Sequence, residues 1–462
     1  MADNTSNRRD FLKNVSVAGM GVVAMGSLAS GADSAAPATG KVPAATTKPS
    51  QPTTKPVKKI VKTAKSDKPL RIGVIGTAGR GTEVGSTFAQ NADAVVTHVC
   101  DVDEGHMKAA AKAIGQYQDT EPQGTDDLRR ILDNKDIDAI IIATPDHWHA
   151  PAAILGCQAG KHVYVEKPCS HNPAEGEMLV AAARKHDRVV QHGTQRRSWS
   201  GVMEGIAKVR AGEIGKVYLS RGWYMNTRPE TGKRTPASVP AGLNWDLWQG
   251  PAPRTEYTEN VVHYKWHWFW HWGTGELGNN GVHALDVCRW GLDVAFPKRV
   301  TAGGGRYHFQ DDQETPDTLS VTYDYGDKAI FWEGRSCHPR GFEGNSYGIA
   351  FYGDKATLVV DGDGYYLLDP KGKPMLDKPV KGTNSGNTRH VDNFVQTIRG
   401  KEKLNCEIEE GHRSVVICHL GNIAYRTGRT LNCDPKTGRI VGDEAAMKHW
   451  SRDYDAKWAP KV

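Results

Sequence analysis

The chain has 462 residues and 50.5 kDa, with 38% apolar and 24% charged residues, enough to bury a core and unlike a wholly disordered chain. Its 50 glycines follow no Gly-X-Y period and its eight cysteines are too sparse for a disulfide-built fold. No unbroken run of about 18 apolar residues marks a membrane-spanning helix, so no integral membrane contact is expected. The net charge of +6 sits at one end: residues 1–68 hold eleven Lys/Arg against four Asp/Glu, and the rest holds 48 against 49. The basic balance therefore belongs to the tail. With no nucleic-acid motif either, the folded part is not expected to bind nucleic acid.

Arg8-Arg9-Asp10-Phe11-Leu12-Lys13 has the twin-arginine pattern of bacterial export leaders. A Gly/Ala-rich apolar stretch from Val15 to Ala29 follows, and Ser30-Gly31-Ala32 offers small residues for cleavage. Residues 1–32 are read as a leader that engages the twin-arginine translocation machinery and places the mature protein in the periplasm or another extracytoplasmic space. The alternative is a short amphipathic helix that opens with two arginines. Residues 33–68, rich in Ala, Pro, Thr and Lys, cannot bury enough surface to offset the entropy of ordering, and are read as a flexible spacer.

From Leu70 the pattern changes. Leu70–Ile75 reads as a strand, Gly76-Thr77-Ala78-Gly79-Arg80-Gly81 as a turn opening a helix, and Ala94–Cys100 as a second strand ending at Asp101. This is the dinucleotide-binding order of strand, glycine-rich turn, helix, strand and acid, with Ala78 in place of the second glycine. Asp101 suits ribose hydroxyls and repels a 2′-phosphate, which favours NAD over NADP; Arg80 pulls the other way. A helix over 125–134, a strand over 136–144, a helix over 149–160, a strand over 161–167, a helix over 173–186 and a strand over 189–195 continue the alternation. It predicts a Rossmann domain over 69–195, a doubly wound parallel sheet with ligands at the carboxyl ends of its strands. Thr144-Pro145-Asp146-His147-Trp148-His149, Glu166-Lys167-Pro168 and Gly193-Thr194-Gln195 fall at such ends. Residues 196–462 are expected to form a second α/β domain with a large open mixed sheet. Strand runs lie within Thr315–Arg335, hinged at Tyr325-Gly326-Asp327, and at Tyr347–Tyr352 and Ala356–Val360.

At Glu166-Lys167-Pro168 the sequence resembles the Gfo/Idh/MocA oxidoreductases, which include glucose–fructose oxidoreductase and inositol dehydrogenase. The resemblance runs from about Leu70 to Asp434 and takes in the glycine-rich turn, Asp101, Thr144-Pro145 with the following histidines, and Gly278-Asn279-Asn280-Gly281-Val282-His283. It implies an N-terminal Rossmann domain, a C-terminal α/β domain, and helices near 387–399 and 410–428 returning to the first domain. It also implies homo-oligomers through the open sheet. It places Gly76, Thr77, Ala78, Gly79, Arg80, Gly81, Asp101, Thr144, Pro145, His147, His149, Glu166, Lys167 and Gln195 at the cofactor. Lys167 then sits beside the nicotinamide and the substrate hydroxyl as acid/base, and His283 is the second catalytic candidate. Many members carry Asp-x-x-x-His here; this chain has Asn279 at the Asp position. Substrate contacts are assigned to Lys167, Arg196, Tyr224, Tyr264, Asn279 and His283, with Arg197 and Arg228 as further candidates.

The run His-Tyr-Lys-Trp-His-Trp-Phe-Trp-His-Trp over 263–272 spaces His263, His267 and His271 by four, as metal ligands on a helix would be. Its tryptophans alternate by two, as on an extended segment, where they would form a sugar-binding surface or an aromatic core. No metal is assigned. Three functions compete: an exported NAD-dependent oxidoreductase acting on a CH–OH group of a sugar, polyol or glycoside with its cofactor tightly bound; a redox-neutral NAD-dependent cycle, in which C3 oxidation, elimination, water addition and re-reduction cleave a glycoside; and a non-catalytic sugar-binding protein.

Overall fold

The computed structural model describes residues 68–462. The expected leader and, apart from Lys68, the expected spacer lie outside the described residues. Strands β1 (Leu70–Ile75), β2 (Ala94–Cys100), β3 (Gln123–Thr125), β4 (Ala139–Ile142), β5 (His162–Val165) and β6 (Val190–His192) alternate with helices α1 (Gly79–Ala89), α2 (Glu104–Gly115), α3 (Leu128–Asp133), α4 (Asp146–Gln158) and α5 (Pro173–Lys185). They form one parallel sheet in the order β3-β2-β1-β4-β5-β6. β4 and β5 are buried along their whole length, as strands covered by helices on both faces must be. This is the expected doubly wound sheet.

Some boundaries differ from expectation. The helix foreseen over 149–160 begins three residues earlier, because Pro145 occupies the N-cap position and Asp146 opens the first turn. The helix foreseen over 125–134 is shorter, and the three-residue β3 precedes it.

The remainder contains α6 (Ser200–Arg210), β7 (Val217–Met225), α7 (Trp245–Gln249), α8 (Val282–Leu292), β8 (Arg299–Gly305), β9 (Thr318–Asp324), β10 (Ala329–Arg335), β11 (Tyr347–Gly353), β12 (Thr357–Asp361), β13 (Gly364–Leu368), α9 (Gly386–Ile398), α10 (Ile408–Thr427), β14 (Leu431–Asn432) and α11 (Glu444–Met447). Its sheet runs β13-β12-β11-β7-β10-β9-β8-β14. β10 lies parallel to β7 and antiparallel to β9, so the sheet is mixed as expected. The β9–β10 turn falls at residues 325–328, the predicted hairpin. Among the described residues no helix is long and apolar enough to cross a membrane.

Two C-terminal helices, α9 and α10, pack on elements of the first sheet, α9 most deeply through its apolar face. In α9, Val391, Phe394, Val395 and Ile398 share a buried cluster with Ile72 and Val74 of β1 and with Val84 and Phe88 of α1. Phe394 meets Phe88 and Tyr164 edge-on, with ring centroids 5.9 and 6.1 Å apart. α10 packs on α5, α8 and β8. A bidentate ion pair fastens this junction: Arg197 donates to both oxygens of buried Asp286 at 2.8–3.0 Å, and Ser414 Oγ adds a bond of 2.7 Å. Arg197 and Asp286 thus hold the fold together. Phe394→Ala should cost about 3–5 kcal/mol, read as a lower urea midpoint, because a fully buried ring would leave a cavity between α1 and α9.

Candidate active site

The carboxyl end of the first sheet opens into a cavity of about 370 Å³, walled on its far side by Trp248, Tyr264, Trp266 and His267. Two helices point their N-termini at it. In α2, α3 and α5 an Asp or Asn side chain caps the first turn, whereas α1 and α4 start at Ala78 and Pro145 with no side-chain cap. The first turn of α1 thus has no side-chain partner, whereas in α4 His147 N donates to the Trp272 carbonyl at 3.2 Å; helix N-termini favour anions such as a pyrophosphate.

The glycine-rich turn divides its work. Gly76 has φ +82°, and a Cβ there would lie 2.6 Å from the Thr144 nitrogen. At Gly81 a Cβ would lie 1.8 Å from the Gly76 carbonyl oxygen. Both are required by the protein's own backbone. At Gly79 a Cβ would meet no protein atom within 4 Å, because that side faces open space. Ala78 and Gly79 line the cavity, so the absence of a glycine at 78 leaves Gly79 beside it as the point of close approach. Asp101 accepts from Thr77 N at 2.7 Å and Thr77 Oγ1 at 3.1 Å, and from Asp103 N at 3.0 Å. Thr77 therefore orients Asp101 and is itself outside the wall. Open glycine surface, two uncapped helices and a fixed acid at the end of β2 fit a dinucleotide.

Behind the turn lies Glu166, 3% exposed. Its Oε1 accepts from Arg80 Nε at 2.8 Å and Gln195 Nε2 at 2.9 Å, and its Oε2 from Lys167 N at 3.2 Å. Burial pushes this carboxyl up, but the Arg80 and Lys167 charges outweigh it and hold it below its ordinary range. Arg80, engaged with Glu166 and with Glu83 at 2.8 Å, is a structural cation in the wall. Gln195 bonds Glu166 and Tyr164 and stands behind the wall.

Lys167 donates to both the carbonyl oxygen and Oδ1 of Asn279, each at 2.9 Å. Burial lowers its ammonium below the usual range, with Glu166 and Asp146 opposing the shift. Asp146 is 2% exposed, lines the cavity, and accepts from Thr274 Oγ1 at 2.6 Å. Burial pushes its carboxyl up to about 7. The one sequence signal of Asp146 is its place in the strand-end cluster over 144–149. His267, spaced with His263 and His271 as a metal ligand would be, stands in the cavity wall. Its Nδ1 faces the Tyr264 carbonyl at 2.6 Å, and its ring stacks on Trp266 at 3.5 Å and 18°. With Nδ1–H donating, Nε2 carries the lone pair. Burial holds this imidazole down to about 3, so it is a neutral acceptor. His149 lines the cavity with its two nitrogens at the Pro168 and Thr144 carbonyls, 2.6 and 2.8 Å away.

Several expected contacts are not in the wall. His147 is fully buried between Trp248 and Trp272, with Nε2 at the Trp248 carbonyl at 2.8 Å. His283 follows a π-turn over Leu277–Gly281, and of this stretch Asn279 lines the cavity. The His283 Nδ1 is buried without a partner, and burial with the Lys167 and Arg196 charges keeps the ring neutral. Arg196 donates to the Gly362 carbonyl at 2.9 Å and lies against Trp199 and Tyr347. Tyr224 joins a network with Arg228, whose guanidinium pairs with Glu276 at 3.1 Å and donates to Tyr264 Oη at 2.8 Å. The 263–272 run is neither helical face nor strand: Lys265–Trp268 is one 3₁₀ turn. Its histidines separate, His263 toward Asp103, His267 into the cavity, and His271 to the Pro253 carbonyl at 2.8 Å.

Residues 70–194 match the family model described as "Oxidoreductase family, NAD-binding Rossmann fold", and residues 222–460 match the "Oxidoreductase family, C-terminal alpha/beta domain", both of the Gfo/Idh/MocA family. The chain belongs to the Gfo/Idh/MocA oxidoreductases. It is an enzyme of that family and carries its NAD-binding domain. It is 26% identical over 405 residues to a glycosyl hydrolase family 109 protein of Parabacteroides distasonis, covering 80% of this chain and 78% of that one. It is 28% identical over 320 residues to an alpha-N-acetylgalactosaminidase of Tannerella forsythia, covering 67% of this chain and 64% of that one. Among solved structures it resembles the WlbA dehydrogenase of Bordetella pertussis, crystallised with NADH and UDP-GlcNAcA, at TM-score 0.61 and 20% identity over 79% of this chain and 99% of that one.

Two glycine variants separate fold from ligand. Gly81→Ala should lower thermal stability, because its methyl collides with backbone. Gly79→Ala should keep the melting temperature of the unliganded protein but weaken NAD, read by calorimetry, by at least about tenfold.

Proposed function

We propose that this protein oxidises a CH–OH group of a sugar, polyol or glycoside with a tightly held NAD. The observation that carries this is Lys167, half-buried at the dinucleotide cavity with two of its N–H groups donated to Asn279 and its remaining position left for a substrate hydroxyl. Bound NAD supplies the electron-pair acceptor. Lys167, neutral in the fraction that burial creates, accepts the hydroxyl proton and returns it in reverse. Asn279 orients the amine through its two oxygens. His267 Nε2 accepts from a neighbouring substrate hydroxyl and so fixes which carbon faces the nicotinamide. Asp146, close enough to act on Lys167 by its charge, tunes the amine and offers a partly protonated carboxyl near neutral pH. The indole wall excludes water and keeps these groups away from their solution pKa values.

The second reading is redox-neutral glycoside cleavage, favoured by the glycosidase names of the first two relatives. The same proton acceptor then serves a cycle that begins and ends with the oxidised dinucleotide. We also propose export through the twin-arginine route with the cofactor bound, supported by Arg8-Arg9 and the following apolar stretch. Outside the cytoplasm, where free dinucleotide is scarce, net oxidation then needs a second substrate that takes the electrons back.

The test begins with the dinucleotide released from denatured protein, expected as NAD near one per chain. Glycoside and free-sugar panels follow, where a ketosugar marks oxidation and a cleaved glycoside marks the second reading. No dinucleotide, and none bound on addition, would reject both. Lys167→Ala should lower kcat by about 10²–10⁴-fold while the dinucleotide is retained; an unchanged kcat excludes the assigned role. In the oxidative direction kcat/KM should rise with pH up to the lowered Lys167 pKa. Asp146→Asn removes a charge that favours the ammonium, so the rising limb should move to lower pH.

A further inference from the structure

Three side chains at the mouth of the cavity have no part in the chemistry above. Asp103 caps α2 through Oδ1, which accepts from His106 N at 2.9 Å, and this leaves Oδ2 for another partner. His106 lies in the first turn of α2. His263 comes from the segment between β7 and α8, far away in sequence. The donor atoms of these three residues lie within 4.8 Å of one another. The two imidazole rings are 4.2 Å apart at 64°, and His263 Nε2 lies 3.5 Å from Asp103 Oδ2.

That last separation is informative. A charge-assisted hydrogen bond is about 2.7–2.9 Å long, so 3.5 Å is a poor one. Two ligands on a tetrahedral ion with bonds of about 2.0–2.1 Å stand about 3.3–3.4 Å apart, close to what is seen. Among the described residues neither imidazole makes a hydrogen bond. One carboxylate and two imidazoles form a borderline-soft donor set, suited to Zn²⁺ and its neighbours rather than to Ca²⁺ or Mg²⁺.

The place gives the ion a job. The chain leading to His263 crosses the end of β2 beside Asp101. There Asn244 N donates to the Val102 carbonyl at 2.8 Å, Glu104 N donates to the Gly242 carbonyl at 3.0 Å, and Leu243 bridges Asp103. His106 and His263 both line the cavity. We propose that Asp103, His106 and His263 bind one zinc-class divalent cation that fastens this strap to α2 and slows exchange of the dinucleotide. The ion site rests on the geometry alone; the effect on exchange rests on the reading that the cavity holds NAD.

The test uses the full chain, stripped with a chelator and titrated with Co²⁺ and then Zn²⁺. One equivalent of Co²⁺ should bind with the visible absorption of a tetrahedral ion, and Zn²⁺ should displace it. Absence of that band in the native chain overturns the site without any variant. His106→Ala and His263→Ala should each weaken metal binding at least about a hundredfold, and the double variant should abolish the band. A band unchanged in the double variant overturns the assignment. Zn²⁺ should slow dinucleotide release at least tenfold in the native chain and leave the double variant unaffected. Release that ignores Zn²⁺ in the native chain overturns the fastening role. Metal binding by a chain that takes no dinucleotide at all would reject the functional reading, leave the ion site standing, and overturn its role in exchange.

Discussion

The cavity depends on one buried carboxylate. Glu166 gathers a guanidinium from α1, an amide from the segment after β6 and the backbone N–H of Lys167. An ionised carboxylate at that depth is tolerable only with such partners, and removing one partner of a buried pair costs about 3–5 kcal/mol. The same charge that Arg80 neutralises also favours the ammonium of Lys167. Glycine-rich turn, the Lys167 backbone and sheet edge are thus coupled through a single side chain.

The far wall sets the medium in which that coupling acts. Trp245 stacks on Trp248 at 4.8 Å, Trp272 meets both edge-on, and His147 fills the space behind. Such a wall cannot solvate charge, and so it shifts groups in opposite directions: carboxyl up at Asp146, imidazoles down at His149 and His267. A polar floor against an aromatic roof is also what a sugar ring presents in reverse, with hydroxyls at its edge and C–H groups on its faces.

The first sheet was legible because its strands are continuous apolar runs and its turn carries a fixed spacing. β1 and β2 match the sequence reading residue for residue. What escaped had no local signal. β3 is Gln-Gly-Thr, with nothing apolar to betray it. The period-two tryptophans pointed to an extended segment, but a 3₁₀ turn of three residues per turn carries Trp266 and Trp268 instead. The site followed the same rule. Lys167 and Asp101 were readable from motif position. The raised carboxyl of Asp146 was not, because Thr274 and the burying wall arrive from more than a hundred residues away. The family resemblance put both Asn279 and His283 at the substrate; of the two, Asn279 lines the cavity, after a wide turn before α8 that no sequence signal announces.

The C-terminal segments do more than add a second layer. α9 supplies apolar side chains to the core of the first sheet, Arg452 donates to Glu175 at 2.9 Å and to the His147 carbonyl at 2.8 Å, and Trp458 meets Trp148 edge-on at 5.0 Å. During synthesis the dinucleotide-binding half therefore leaves the ribosome with one apolar flank bare. It stays bare until nearly the whole polypeptide has followed. A chain cut short before α9 would therefore leave that flank exposed to water and open to aggregation.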